Sequence, residues 1–266
     1  MQEDDADEES VSVFANHVDR TTSLYLYGLV DEPIAFAPGC LGLDNATVSC
    51  LPFDGVGALV HCCPATPYAS ADRRTVVHWA EAHAAVLCDA LARYPSVVPF
   101  AFNTIVRGPR SEQRLAQWIN EHRANVEYLF RRLRGRVEYG VRLEPAVSAL
   151  PEQAKEDRDV PAGIAYILQG RSRPKTWPPA LRQAAQSAID RLVGLCDEVR
   201  GGRTLEPESD GCEVFRLACL VDTKAIDAFI NAVEQCHEFG ALRIEVTGPW
   251  PAYSFLDQPP PNRVEG

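Results

Sequence analysis

The chain has no run approaching the roughly 18 consecutive apolar residues that a membrane-spanning helix requires, and it has no excess of positive charge. Its 266 residues carry 26 Lys and Arg against 37 Asp and Glu, a net charge of -11. A phosphate backbone repels such a chain, which argues against a general nucleic-acid binder. Part of the acidity is local: residues 1–20 hold seven acids and one arginine, which leaves -5 for the remainder. That acidic start is the reverse of a secretory signal's positive n-region, so export by that route is not expected. The nine cysteines form no C-x-x-C pair, and an odd count in a long chain does not read as a disulfide framework. Reduced, partly buried thiols and a cytosolic compartment are the expectation. His61, Cys62 and Cys63 are consecutive. In a strand they alternate between faces and do not converge on one metal ion. Also missing are a G-x-S-x-G nucleophile elbow and an H-E-x-x-H zinc helix. Gly39-Cys40-Leu41-Gly42 and Gly55-Val56-Gly57 lack the spacing and the following helix of a phosphate loop. No cofactor is implied.

What is present is an α+β pattern in two parts. Residues 1–20 read as a disordered acidic tail, 21–144 as an N-terminal α+β domain and 145–160 as a proline-bounded polar linker. Residues 161–256 read as a second α+β domain and the proline-rich 257–266 as a loose tail. In the first domain, strands are expected at Ser23–Val30, Val48–Leu51, Gly57–Cys62, Val97–Phe102 and Arg136–Leu143, with a turn at Asp54-Gly55. Helical stripes predict helices over Arg74–Ala92 and, as one long element between a Ser111 N-cap and Gly135, over Ser111–Arg134. In the second domain Gly163–Leu168 reads as a helix start and Leu181–Val199 as a helix. Glu213–Val221 (strand), Thr223–His237 (helix) and Ala241–Thr247 (strand) then form a compact unit compatible with a ferredoxin-like split βαβ sheet.

Three groups of residues invite a functional reading. His83 and His122 lie on apolar helical faces; they are either a proton-transfer or metal pair where two helices meet, or satisfied core histidines. His78 and His83 are five apart, about 140° around a helix, so they do not share a face. Arg131, Arg132, Arg134 and Arg136 suit either an acidic partner or a helix C-terminus. The segment Thr247–Phe255, TGPWPAYSF, sets Trp250, Tyr253 and Phe255 on a proline-stiffened loop. It is either a terminal clasp or a preformed aromatic platform for a partner.

Four segments resemble the gas vesicle protein F/L (GvpF/GvpL) family. Leu24–Val30, LYLYGLV, is similar to its opening strand, with Tyr25, Tyr27 and Gly28; His83 is similar to its helix histidine. Val97–Thr104, VVPFAFNT, matches its Pro-Phe-Thr segment through Pro99, Phe102 and Thr104, with Asn103 where the family commonly has glycine. The TGPWPAYSF segment resembles its most distinctive motif, through Gly248, Pro249, Trp250, Pro251, Tyr253 and Phe255. Gly135–Val141 also resembles the strand that ends the family's first domain. The resemblance implies two α+β domains, the second a modified ferredoxin-like fold. It also implies a cytoplasmic, non-enzymatic accessory protein of gas vesicle assembly, whose partners are the hydrophobic shell protein and other accessory proteins. The alternatives are a minor structural constituent of the vesicle, or a small-molecule enzyme or sensor on a ferredoxin-like scaffold.

Overall fold

The computed structural model describes residues 23–33, 40–146, 177–206, 212–236, 242–256 and 263–264. The acidic tail, most of the 145–160 linker and the Gly163–Leu168 segment lie outside the described residues. The protein is mixed α+β and divides into two compact units, one of residues 1–134 with 256–266, the other Gly135–Phe255.

The first unit is organised around β1 (Ser23–Asp31), all nine residues of which are buried. Burial on both faces explains why its sequence is a continuous apolar and aromatic run without alternation. β1 pairs antiparallel with β3 (Val56–Cys63), and on its other edge with β4 (Val97–Pro99) and β5 (Ile105–Val106). β2 (Ser49–Phe53) follows β3 at the sheet margin. The β2–β3 turn is formed by Asp54 and Gly55, both at positive φ (45° and 84°), the hairpin geometry whose twist matches the flanking strands. Helix α1 (Arg73–Leu91) starts at Asp72, whose carboxylate accepts from the Arg74 N–H and the Thr75 hydroxyl. Its His83, Val86, Leu87 and Ala90 are buried. At Gly28 the sheet and helix approach so closely that a Cβ would stand 2.9 Å from Leu87 Cδ2 and from the Val98 carbonyl.

Four expectations for this unit are corrected. The strand expected over Val97–Phe102 stops at Pro99, and a turn through Asn103 (φ 69°) redirects the chain into β5. The helix expected over Ser111–Arg134 is two helices, α2 (Ser111–Glu121) and α3 (Arg123–Leu133). At the break, His122 (φ -106°, ψ 11°) directs both its N–H (3.0 Å) and its ring Nδ1 (2.8 Å) at the Trp118 carbonyl. Arg123 is anchored by the Asp54 carbonyl and carboxylate. Ser111 is the first helical residue, not the cap; Arg110, in the left-handed region at φ 66°, takes that place. Within the segment expected to be a loose tail, Arg263–Val264 forms a short strand, β10, parallel to β5.

The second unit runs β6 (Arg136–Pro145), α4 (Pro179–Val193), β7 (Glu198–Glu206), β8 (Cys212–Asp222), α5 (Ile226–Cys236) and β9 (Leu242–Trp250). Its sheet has the order β7-β8-β6-β9 with every neighbour antiparallel. β6 alternates: Val137, Tyr139, Val141 and Leu143 are buried, the period-2 signature of a strand with one face in a core. Leu181, Ala185, Ala188, Ile189 and Leu192 of α4 and Phe229, Ala232, Val233 and Cys236 of α5 are the buried helical faces. The helix expected to continue to Val199 ends at Val193, because the polar, glycine-containing Glu198–Glu206 is the edge strand β7. Helix α5 begins only after a 3-10 turn, Thr223–Ala225, capped by Asp222.

Gly201 sits at φ 101°, and a Cβ there would lie 2.3 Å from the Arg216 carbonyl of β8. Gly201→Ala is therefore expected to destabilise the protein by about 2 kcal/mol or more through backbone strain and a broken β7–β8 register. Urea denaturation of the two proteins, read by circular dichroism, measures the difference.

Candidate functional site

Tyr25, Tyr27, Gly28, His83, Pro99, Phe102 and Thr104 converge in the core of the first unit. Tyr25 lies opposite His61 across the β1–β3 ladder, and a register shift between Leu26 and Gly28 keeps Tyr27 beside it. The four rings interlock. Tyr25 hydrogen-bonds His83 Nδ1 at 2.9 Å and stacks on His61 at 5.0 Å. Tyr27 hydrogen-bonds His61 Nδ1 at 2.9 Å and stacks on His83 at 5.3 Å. Phe102 closes one side, edge-on to Tyr25 and His83.

The proton positions follow from donor counting, which assigns the tautomers. His83 Nε2 faces the Phe100 carbonyl at 3.2 Å, so it carries the hydrogen, and Nδ1 accepts from the Tyr25 hydroxyl. Tyr25 oxygen accepts in turn from the Asn103 N–H at 3.1 Å. Tyr27 oxygen accepts from the Leu43 N–H at 3.1 Å and donates to His61 Nδ1, so His61 Nε2–H donates to Tyr68 oxygen at 3.1 Å. The Asn103 side chain then clasps Tyr68 through its backbone N–H and carbonyl, at 2.9 and 3.0 Å. Gly28 pairs with Pro99, Phe100 N–H donates to the Tyr27 carbonyl, and Thr104 accepts from Leu26 N–H through its own carbonyl. The motif residues thus build one hydrogen-bonded frame.

Electrostatically the frame is neutral. Burial lowers both His61 and His83 to about 4, and raises Tyr68 to about 12 and Tyr27 further still. None of these four groups is poised near neutral pH, where a general acid or base works best. Of the frame's other members, His61, Tyr68 and Gly42 are absent from the motif residues picked out above, and Asn103 is the motif position where the family commonly has glycine. Gly42 is required by contact, since a Cβ there would fall 1.8 Å from the Tyr27 hydroxyl. Alternation in β3 is the one signal for His61: His61 and Cys63 are buried and Cys62 is exposed. The pairing of His83 with His122 does not occur. His122 is exposed and stacks on Trp118 at 4.4 Å, whereas His83 belongs to the tyrosine cluster. Among the described residues no group of three or more His, Cys, Asp or Glu side chains is placed to hold a metal ion.

The second cluster, in the other unit, surrounds the end of β9. The ladder to β6 is interrupted at Gly248-Pro249, a cis peptide, and resumes where Trp250 faces Glu138. Glu138 accepts from the Ser254 N–H (2.8 Å) and hydroxyl (2.6 Å), while Arg200 donates to the Ser254 carbonyl (2.8 Å) and covers the Phe255 ring. Pro251, Ala252 and Phe255 are buried, yet Trp250 and Tyr253 remain 40% and 38% exposed. The segment is therefore a clasp through Phe255 and an exposed aromatic rim through Trp250 and Tyr253. The arginine run does not act as one patch: Arg134 pairs with buried Asp31, Arg136 with Asp197 at 2.5 Å, and Arg132 lies over Tyr128.

Because folded His61 and His83 stay neutral to about pH 4 while unfolded imidazoles titrate near 6.5, the unfolded chain binds more protons between those values. Their stabilising effect is complete above pH 6.5 and declines as the pH falls towards 4, by up to about 3 kcal/mol for each ring. The urea midpoint is expected to drop clearly from pH 7 to pH 5; a flat profile would contradict the neutral, buried assignment. Tyr25→Phe strands the Asn103 N–H and His83 Nδ1 and is expected to cost about 1–3 kcal/mol at pH 7 by the same measurement.

The family model described as gas vesicle synthesis protein GvpL/GvpF matches residues 23–257. The chain is 25% identical over 253 residues to gas vesicle protein L1 of Halobacterium salinarum, covering 87% of this chain and 89% of that protein. It is 32% identical over 196 residues to gas vesicle protein L of a Streptomyces species, covering 66% and 68%. The crystal structure of GvpF from Anabaena sp. PCC7120 superposes with a TM-score of 0.65 at 23% identity, over 89% of this chain and 99% of that one. GvpF from Microcystis aeruginosa gives 0.64 at 21%, over the same shares. With a family model spanning both units, from the first residue of β1 to just past the Trp250 segment, this chain belongs to the GvpL/GvpF family of gas vesicle synthesis proteins.

Proposed function

We propose that the protein is a non-enzymatic accessory factor of gas vesicle assembly that reversibly covers the hydrophobic shell protein and meets other accessory proteins. The observation that carries this reading is the exposed pair Trp250 and Tyr253 on a backbone fixed by Glu138, Ser254 and Arg200. Rigid aromatic side chains offer large apolar area at low entropy cost. They stand at β9, the margin of its sheet. A shell protein that associates through apolar and strand-edge surfaces is an aggregation hazard until it is incorporated, and an acidic binder raises its solubility.

The element order of the second unit, β-α-β-β-α-β with the first strand between the third and fourth, supports reading it as a modified ferredoxin-like domain. What weighs against the proton-transfer alternative at His83 and His122 is that His83 is bonded within the tyrosine cluster while His122 lies exposed beside Trp118.

Co-expression with the major shell protein, followed by size-exclusion chromatography, is expected to show co-elution and more soluble shell protein than in its absence. Replacing Trp250→Ala and Tyr253→Ala together is expected to weaken retention about 10–30-fold with an unchanged circular dichroism spectrum. Unchanged retention in that folded variant would make the β9 segment structural. Loss of co-elution in the unaltered protein, with both partners folded, would overturn direct shell binding.

A further inference from the structure

Residues 64–71, PATPYASA, join β3 to α1; seven of the eight are exposed, and Tyr68 is half-buried. The segment forms neither strand nor helix, so no ladder holds its backbone groups. One bond, from the Asp72 N–H to Ser70 Oγ at 3.1 Å, is local to the entry of α1. Among the described residues, every other hydrogen bond between this segment and the body of the first unit runs through Tyr68. The Tyr68 N–H donates to Asn103 Oδ1 at 2.9 Å, and Asn103 Nδ2 donates to the Tyr68 carbonyl at 3.0 Å. The Tyr68 hydroxyl meets His61 Nε2 at 3.1 Å, across the imidazole from the nitrogen bonded to Tyr27. Its ring stands edge-on to Tyr25, His61 and Trp79, with centroids 5.7, 6.2 and 5.2 Å away. Asn103 is fixed independently of the segment. Its N–H donates to the Tyr25 hydroxyl, and its φ of 69° is one that asparagine tolerates and glycine adopts freely.

We propose that residues 64–71 are a hinged strap over the ring cluster of the first unit, latched by the Asn103 carboxamide, whose release uncovers His61 while the frame beneath stays folded. Latch and frame are separable. The bonds joining Tyr25 to His83 and Asn103, and Tyr27 to His61 and Leu43, involve no atom of the strap. What holds the strap is three hydrogen bonds and one half-buried ring, each of modest net worth. β1, by contrast, is buried along its whole length and paired on both edges. A segment with one point of attachment opens locally in the native state, whereas a central strand opens only with its unit. Opening withdraws the Tyr68 oxygen from His61 Nε2 and the Tyr68 ring from Tyr25 and Trp79. The neutral frame then meets solvent on that side. Tyr68 is thus the plug of the strap, and Asn103 sets how often it leaves.

The test uses the full chain under native conditions. Chymotrypsin cuts after Tyr68 only from the open strap, and with reclosing faster than cleavage the rate follows the open population. Asn103→Gly removes both carboxamide bonds, keeps the backbone N–H that meets Tyr25, and suits the positive φ. It is expected to raise cleavage after Tyr68 about 10–100-fold with an unchanged circular dichroism spectrum. Carbethoxylation of His61 by diethylpyrocarbonate is expected to rise with it while buried His83 stays unmodified, exposed His78 marking delivery of the reagent. In the unaltered protein, amide exchange at Tyr68 is expected to be nearly independent of low urea. Exchange at Leu26 and Phe100, bonded to the Thr104 and Tyr27 carbonyls, is expected to accelerate steeply with it. Unchanged cleavage in folded Asn103→Gly would overturn the proposal, as would faster cleavage with His61 still unmodified. So would a Tyr68 amide that shares the urea dependence of Leu26 and Phe100, since strap and frame would then open as one.

Discussion

Burying β1 on both faces sets the constraint on which the first unit depends. A strand with water on neither side must pair every polar atom it carries, because an unpaired buried donor or acceptor costs about 1–3 kcal/mol. β1 carries two tyrosine hydroxyls into that environment. Each is met by a histidine nitrogen on one side and a backbone N–H on the other, His83 and Asn103 for Tyr25, His61 and Leu43 for Tyr27. Both histidines are thereby held neutral, and the loops that supply the backbone donors are fixed in place. The left-handed turn at Asn103 and the close approach at Gly42 follow from the same requirement. So does the division of the expected Val97–Phe102 strand: the chain must turn to bring the Asn103 N–H onto the Tyr25 hydroxyl.

The second unit satisfies its polar groups at the margin of a sheet instead. β9 ends in a proline-interrupted ladder, and Glu138 and Arg200 supply the bonds the ladder cannot. Phe255 is covered while Trp250 and Tyr253 are not. Fixing the backbone with charged hydrogen bonds on one side leaves aromatic area available on the other. The contrast with the first unit is chemical: there the aromatic hydroxyls close a frame, and here the rings meet solvent.

Much of the architecture was legible in the sequence, for identifiable reasons. The uninterrupted run of β1, the Asp54-Gly55 hairpin, the stripe of α1 and the alternation of β6 report local periodicity, and each element forms where its period stands. Asn103 is another case, since its tolerance of positive φ is intrinsic to the side chain. β7 was not legible, because an edge strand with two glycines and few apolar residues has no period to read; its ladder to β8 alone defines it. The break at His122 was equally hidden. The apolar stripe continues across it from Ile119 to Val126, and the interruption comes from two donors sharing the Trp118 carbonyl and from Arg123 reaching Asp54.

The candidate residues divide in the same way. The sequence by itself determined that Tyr25, Tyr27 and His83 occupy buried faces of their elements, and that the residues around Trp250 form a stiff aromatic segment. Only the tertiary structure decided that His83 partners Tyr25 and not His122, that His61 and Tyr68 complete the frame, and that Phe255 is covered while Trp250 faces solvent. Periodicity assigns a side chain to a face. Which atom it meets there depends on contacts between residues far apart in the chain, such as Tyr25 and His83, separated by 58 positions, and no local pattern records them.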